Sequence, residues 1–154
     1  MSLRVGDKAP YFEGKDQNGN VIRLSDFKGK KLVLYFYPKD DTPGCTAEAC
    51  NLRDNYQTLL EKGYAVLGVS TDDETSHQKF IQKYQLPFPL IADTDKKLHE
   101  LFGTWGEKKM YGKTYQGTHR ITFIIDENGI IAEIIQKVDT KAHAQQILKL
   151  CKTS

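Results

Sequence analysis

The sequence has no apolar run approaching the roughly 20 residues that a membrane-spanning helix needs. Neither sign of charge dominates: 22 Lys and Arg stand against 20 Asp and Glu, a net charge of +2 spread along the chain. That balance excludes the basic footprint of a nucleic-acid binder. The short runs Lys28-Gly29-Lys30-Lys31 and Lys108-Lys109 read as solvated loops. Internal repeats, low-complexity tracts and linker-like stretches are also missing, so residues 1–154 read as a single domain. Cysteine is scarce and odd in number, at three. The opening stretch Met1–Asp7 lacks the apolar region of an export signal, so a cytoplasmic, reducing location is expected. A permanent disulfide staple is unexpected there, and the thiols are left as buried, metal-bound or catalytic.

What remains is enough for a core: 39% hydrophobic and 27% charged residues over 154 positions fit a soluble globular protein. Two short segments, 11–15 and 20–23, flank Gln17-Asn18-Gly19, a strong hairpin-turn signal. Leu24–Phe27 reads as a short helical turn. Lys31–Tyr37 and Tyr64–Ser70 are apolar on both faces and read as strands buried on both sides. Between them a helix is predicted from Pro43 to Lys62, with Thr42 as its cap, Pro43 in its first turn and Gly63 as its stop. A capping box at Thr71–Glu74 opens a helix to Tyr84. Leu90–Ala92 is a short strand, Asp95–Leu101 a short helix and Gly103–Gly117 a polar, Gly-rich loop. Arg120–Ile125 and Ile130–Val138 form a hairpin, and Thr140 caps a last helix to Leu150. Strand-helix alternation closed by an antiparallel hairpin predicts an α/β fold. Its mixed central sheet is flanked by helices and preceded by a β-hairpin, and a thioredoxin-like topology fits best.

The chemistry concentrates in Asp40-Asp41-Thr42-Pro43-Gly44-Cys45-Thr46-Ala47-Glu48-Ala49-Cys50. Cys45 follows a central strand and falls in the first turn of a helix. Unpaired N–H groups and the helix dipole favour a thiolate there, and the thiolate is the nucleophile. Pro43 and Gly44 keep the approach open, and Thr42 and Thr46 bring hydroxyls near. On an ideal helix the Cα atoms of Cys45 and Cys50 lie roughly 8.6 Å apart, beyond the reach of about 7 Å that a disulfide allows. The two can bond only if the first helical turns unwind. Glu48, between them, reads either as a hydrogen-bond acceptor or as an ordinary helix-start carboxylate.

A zinc site would need ligands that Cys45 and Cys50 do not find nearby. His77, His99, His119 and His143 show no paired metal spacing and read as surface or satisfied histidines. His119 is the one candidate base for a Cys-His hydrolase. Arg120 heads an apolar strand, where it reads as a simple edge charge or as a cation that stabilises a thiolate and binds an oxygen substrate. The Trp105 loop either lines a mouth or covers a core edge. Cys151 has no comparable surroundings and reads as a spare thiol. A thioredoxin-like disulfide exchanger, which typically uses Cys-x-x-Cys, and a redox-sensing module stay open as alternatives.

Two distant blocks, "YFYPKDDTPGCTAEACNLRD" at 35–54 and "GTHRITFIIDENG" at 117–129, resemble the peroxiredoxins, and within them the bacterioferritin-comigratory (Q-type) subfamily. "WGEKKMYGKTY" at 105–115 resembles a loop of the same subfamily. The resemblance implies a thiol-specific peroxidase acting on hydrogen peroxide and organic hydroperoxides. By it, Cys45 matches the peroxidatic cysteine, Cys50 the resolving cysteine, and Thr42, Pro43 and Arg120 the substrate-holding residues, with Gly44 beside them. It implies a Cys45–Cys50 disulfide recycled by thioredoxin or glutaredoxin, a monomer, and no metal or organic cofactor. Leu52 and Thr118 depart mildly from the subfamily pattern, away from the chemistry.

Overall fold

Two runs of consecutive apolar residues, each buried on both faces, organise the molecule. The computed structural model describes residues 3–151, and of Cys151 the backbone only, so the reading of its thiol lies outside what is described. Strand β3 (Lys31–Phe36) is the middle of a five-stranded sheet ordered β5-β4-β3-β8-β9. It pairs in parallel with β4 (Tyr64–Ser70), which pairs in parallel with β5 (Leu90–Ala92). On the other side it pairs antiparallel with β8 (Ile121–Ile125), which pairs antiparallel with β9 (Ile131–Ile135). Side chains alternate across the sheet. Val33, Tyr35 and Tyr37 enter one core with Leu52, Leu59, Phe80 and Ile147, whereas Leu32, Leu34 and Phe36 enter the other with Phe12, Leu98 and Phe102. The expected mixed sheet flanked by helices is what forms.

Before the sheet, β1 (Glu13–Lys15) and β2 (Val21–Arg23) make the expected hairpin, and Leu24–Phe27 is a 3-10 turn. The long helix expected from Pro43 to Lys62 is two helices, α1 (Pro43–Asp54) and α2 (Tyr56–Glu61). The break falls at Asn55, whose φ/ψ of −110°/11° leaves the helical region and whose side chain bonds back to the Asn51 carbonyl. Such local side-chain bonds compete with the helical ladder. Helix α3 (Glu74–Tyr84) starts two residues later than the Thr71 box suggests, because Asp73 is the cap that accepts from the Ser76 N–H. Helix α4 spans Lys97–Phe102.

The segment 103–117, read as a loop, is mostly an antiparallel ribbon, β6 (Trp105–Met110) with β7 (Lys113–Thr118). Its two-residue turn has Tyr111 and Gly112 both at positive φ, 52° and 75°, the geometry of a type I′ hairpin. Helix α5 (His143–Cys151) begins three residues after Thr140. The Asp139 carbonyl and carboxylate bond the next N–H groups instead and hold a turn ahead of it.

Gly68 is where the sheet packs tightest. A Cβ there would lie 2.6 Å from Leu90 Cδ2 and 2.9 Å from Tyr35 Cζ, both on neighbouring strands. Gly68→Ala is expected to cost about 1–3 kcal/mol through overpacking. Denaturant unfolding should show a lower midpoint at unchanged slope; an unchanged midpoint would mean the strands can separate freely here.

Candidate active site

The loop between β3 and α1 is built to be rigid. Asp40 is buried, and its carboxylate accepts from the Tyr37 hydroxyl (2.6 Å) and the Ser76 hydroxyl (2.8 Å) and meets His77 Nδ1 (2.7 Å). The other His77 nitrogen faces the Ile91 carbonyl. Asp41 stands at φ 57°, unusual for a residue with a side chain, and is held there by Lys83 Nζ (2.8 Å) and the Tyr84 hydroxyl (2.7 Å). Ser76, His77, Lys83 and Tyr84 all lie on α3, which thus fixes the chain just ahead of Thr42. Asp40, Asp72 and His77 could by spacing hold a metal ion, but the Tyr37, Ser70 and Ser76 hydroxyls and the Asp40 N–H already occupy the two carboxylates.

Thr42 takes the extended backbone of a helix cap, yet its side chain does not cap α1. Its hydroxyl donates to the Lys39 carbonyl at 2.8 Å. The first-turn N–H groups of α1 therefore keep no side-chain partner from Thr42, and Cys45 sits in that turn, 1% exposed. Arg120 reaches it from the residue just before β8. Its Nη2 lies 3.3 Å from Cys45 Sγ, and its Nη1 donates to Glu48 Oε1 at 2.6 Å. Gly44 makes room, since a Cβ there would come within 3.2 Å of Arg120 Nη2. Burial works against the guanidinium's charge, but Glu48 and Cys45 more than offset it and hold Arg120's pKa above its ordinary value. Glu48 is fully buried, and that burial outweighs the pull of Arg120, so its carboxyl is pushed up to about 7. Burial also lowers the pKa of Lys108, whose Nζ donates to the Thr118 carbonyl.

Four of the sequence-derived residues thus come together: Cys45 and Arg120 in contact, Gly44 against Arg120, and Thr42 at the mouth of α1. Pro43 is exposed in the first turn of α1. Cys50 is half-buried further along the same unbroken helix, and both thiols are free. Just beyond it, Asn51 fastens α1 to α5: its amide donates to the Lys141 carbonyl and accepts from the Ala144 N–H at 2.7 Å. His119 does not serve Cys45, because it lies against Gly106. Trp105 covers a core edge, its ring meeting His99 at 5.9 Å and the Lys96 ammonium at 4.7 Å. His77, His99 and His143 are buried and hydrogen-bonded. Missed in the sequence was that Glu48 is a buried partner of Arg120, with His143 Nε2 only 3.6 Å from its second oxygen. The i, i+3 spacing from Cys45, which puts Glu48 on the same helix face, was the available signal.

A thioredoxin-like sheet that presents a cysteine from a helix's first turn to a held arginine defines a thiol-based redox enzyme. The AhpC/TSA family model matches residues 5–134. The chain is 45% identical over 152 residues to Peroxiredoxin Bcp of Bacillus subtilis, covering 99% of this chain and 97% of that one. It is 45% identical over 150 residues to Peroxiredoxin Bcp of Escherichia coli K12, covering 97% and 96%. Among solved structures, a cysteine-to-serine variant of PrxQ from Xylella fastidiosa superposes with a TM-score of 0.93 at 32% identity, over 99% of this chain and 98% of that one. Peroxiredoxin Q of Xanthomonas campestris does so with a TM-score of 0.85 at 36% identity, over 92% and 90%. The chain belongs to the AhpC/TSA family and, within it, to the Bcp peroxiredoxins.

Two outcomes test this geometry. Gly44→Ala should crowd Arg120 away from the sulfur and slow the reaction of Cys45 with peroxide by about tenfold, on the order of one kcal/mol in the barrier. Stopped-flow rates with an unchanged circular dichroism spectrum would bear this out; a wild-type rate would show that the contact is dispensable. Glu48 binds its proton more tightly folded than unfolded, its pKa rising from 4.5 to about 7. Its stabilising contribution is therefore full below pH about 4.5 and lost as pH rises through about 7. The stability difference between wild type and Glu48→Gln should shift in favour of the variant across that window, and a constant difference would contradict it.

Proposed function

We propose that this peroxidase reduces hydrogen peroxide and organic hydroperoxides through Cys45, with Cys50 as resolving thiol. The observation that carries the reading is the Arg120 guanidinium, 3.3 Å from Cys45 Sγ and anchored on its other side by Glu48. The Cys45 thiolate attacks one peroxide oxygen. The O–O bond breaks, and the departing hydroxide or alkoxide takes a proton to leave as water or alcohol. Cys45 is oxidised to a sulfenic acid. Arg120 and the open N–H groups of α1, beside Pro43 and Gly44, hold the peroxide and stabilise charge on the departing oxygen, and the Thr42 hydroxyl, whose proton goes to the Lys39 carbonyl, accepts from the peroxide O–H. A relative in Xanthomonas campestris, its bacterioferritin comigratory protein, has alkyl peroxide reduction activity, which supports the substrate class.

The Cys50 thiol then displaces water from the sulfenic acid and forms a disulfide. On intact α1 the two Cα atoms stand roughly 8.6 Å apart, too far to bond, so the start of α1 has to unwind. A dithiol protein, thioredoxin or glutaredoxin, returns both cysteines to thiols by exchange and leaves oxidised itself. The chain works as a single domain over residues 1–154, as a cytoplasmic monomer, with no metal or organic cofactor.

Cys45→Ser should abolish hydroperoxide consumption, and retained activity would end the assignment. Cys50→Ser should still form one sulfenic acid per chain, detected by a dimedone-type trap, yet lose thioredoxin-driven turnover. Unchanged turnover would remove Cys50 from the resolving role.

A further inference from the structure

Behind Arg120 lies a buried acid whose second oxygen is unaccounted for. Glu48 Oε1 is taken by Arg120, but Oε2 is buried and has no hydrogen-bond partner among the described residues. His143 Nε2, on α5, stands 3.6 Å away, within ion-pair range but beyond hydrogen-bond range.

The hydrogen-bond pattern around His143 fixes its tautomer. Gln146 Oε1 accepts from the Asp139 N–H at 2.9 Å, and Gln146 Nε2 donates to the Lys137 carbonyl at 3.0 Å, so the amide orientation is set by both ends. That oxygen also faces His143 Nδ1 at 2.8 Å, so Nδ1 carries a hydrogen. A neutral His143 is then an acceptor at Nε2, and it takes the Thr122 hydroxyl proton at 2.8 Å, leaving no N–H to offer Glu48. If Glu48 were ionised as well, its Oε2 would lie 3.6 Å from that electron-rich nitrogen, both groups being buried and neither donating to the other. One proton removes the conflict, either on Oε2 or on Nε2.

We propose that Glu48 and His143 hold one proton between them, and that this buried pair is the positioning device that sets the charge Arg120 presents to Cys45. The inference rests on the reading of Cys45 as the attacking thiolate. Burial pushes Glu48 up to about 7 and pushes His143 down, so the proton resides on the carboxyl. With the proton in place, Arg120 bonds a neutral acid, and its full positive charge bears on the sulfur and on the departing oxygen. Without it, a second anion competes for the same guanidinium.

The ionisable groups that face Glu48 are few. Cys45 lies on its own helix, Arg120 comes from the start of β8, and the Tyr35 hydroxyl from β3. Lys108 on β6 acts on Arg120 and Cys45, and Asp139 acts on His143 from ahead of α5. Tyr35 is held well above its ordinary pKa by burial and by Glu48, so it stays neutral. The titrating element near neutrality is therefore the Glu48–His143 pair.

The test is the pH profile of the peroxide step in stopped flow, expressed per Cys45 thiolate, with the thiolate followed by its ultraviolet absorbance. Wild type should lose about fivefold in rate as pH rises through roughly 7, the effect of one added anion beside the sulfur. Glu48→Gln keeps an uncharged acceptor for Arg120 and should flatten the profile. His143→Gln, whose amide donates to ionised Glu48, should move the midpoint down. An infrared difference spectrum at pH 6, wild type minus Glu48→Gln, should show a carboxylic-acid carbonyl band. Profiles that coincide in all three proteins, or a spectrum without the acid band, would overturn the proposal. Peroxide consumption by Cys45→Ser would instead overturn the underlying assignment of the nucleophile, so the two failures are distinguishable.

Discussion

One guanidinium is shared between two acids of the same helix, and the site depends on that sharing. Arg120 touches Cys45 with one nitrogen and Glu48 with another, so a single cation ties the first turns of α1 to the head of β8. Without it, Glu48 would be a fully buried carboxyl with no cation, and burial would hold it still more firmly in its neutral form. Without Glu48, the guanidinium would lose the contact that fixes its plane. The central sheet supplies the rest of the precision. β3 delivers the loop that starts α1, and its antiparallel neighbour β8 delivers Arg120 beside it, with Phe36 opposite Ile121 in register.

In the proposed cycle the same helix has to be firm enough to present Cys45 and weak enough to open. Its flanks are firm. Ahead of it, Asp40 and Asp41 are pinned to α3, and beyond Cys50 the Asn51 side chain is pinned to α5. The stretch between them packs into the core at Cys45 and Ala49 but lacks polar anchors of that kind other than Arg120 among the described residues. The Thr42 side chain gives no cap, a feature typically worth about 1 kcal/mol, and Ala47 and Ala49 are small residues. Besides backbone bonds and the core packing of Cys45 and Ala49, the stretch is tied by the Arg120 contact, which oxidation of Cys45 alters directly. Both cysteines fall inside this stretch, so the boundaries of any opening are drawn by anchors that the reaction leaves alone.

Much of this was legible in the sequence where burial imposes a period. Leu32–Tyr37 and Tyr64–Ser70 are apolar on both faces because both faces are covered, and they fall where expected. Cys45 was legible from Thr42-Pro43-Gly44, which marks a helix start after a central strand. The ribbon Trp105–Thr118 was not, because most of its residues are exposed and no apolar alternation marks it; only the positive φ values at Tyr111 and Gly112 define its turn. The break at Asn55 depends on one side chain turning back on Asn51. Glu48 and His143 look like ordinary polar residues near helix starts. Their meaning comes from tertiary burial, 95 positions apart in sequence yet 3.6 Å apart in space.

The most direct test of the account is amide hydrogen exchange on the reduced protein and on protein treated with one equivalent of peroxide, with peptide mapping of the disulfide. Residues 43–50 should lose protection as a Cys45–Cys50 bridge appears, while protection from Asn51 onward and through α3 is retained. A Cys45–Cys50 bridge formed with α1 still fully protected would contradict the account, as would oxidation that leaves α1 unchanged and links Cys45 to another thiol.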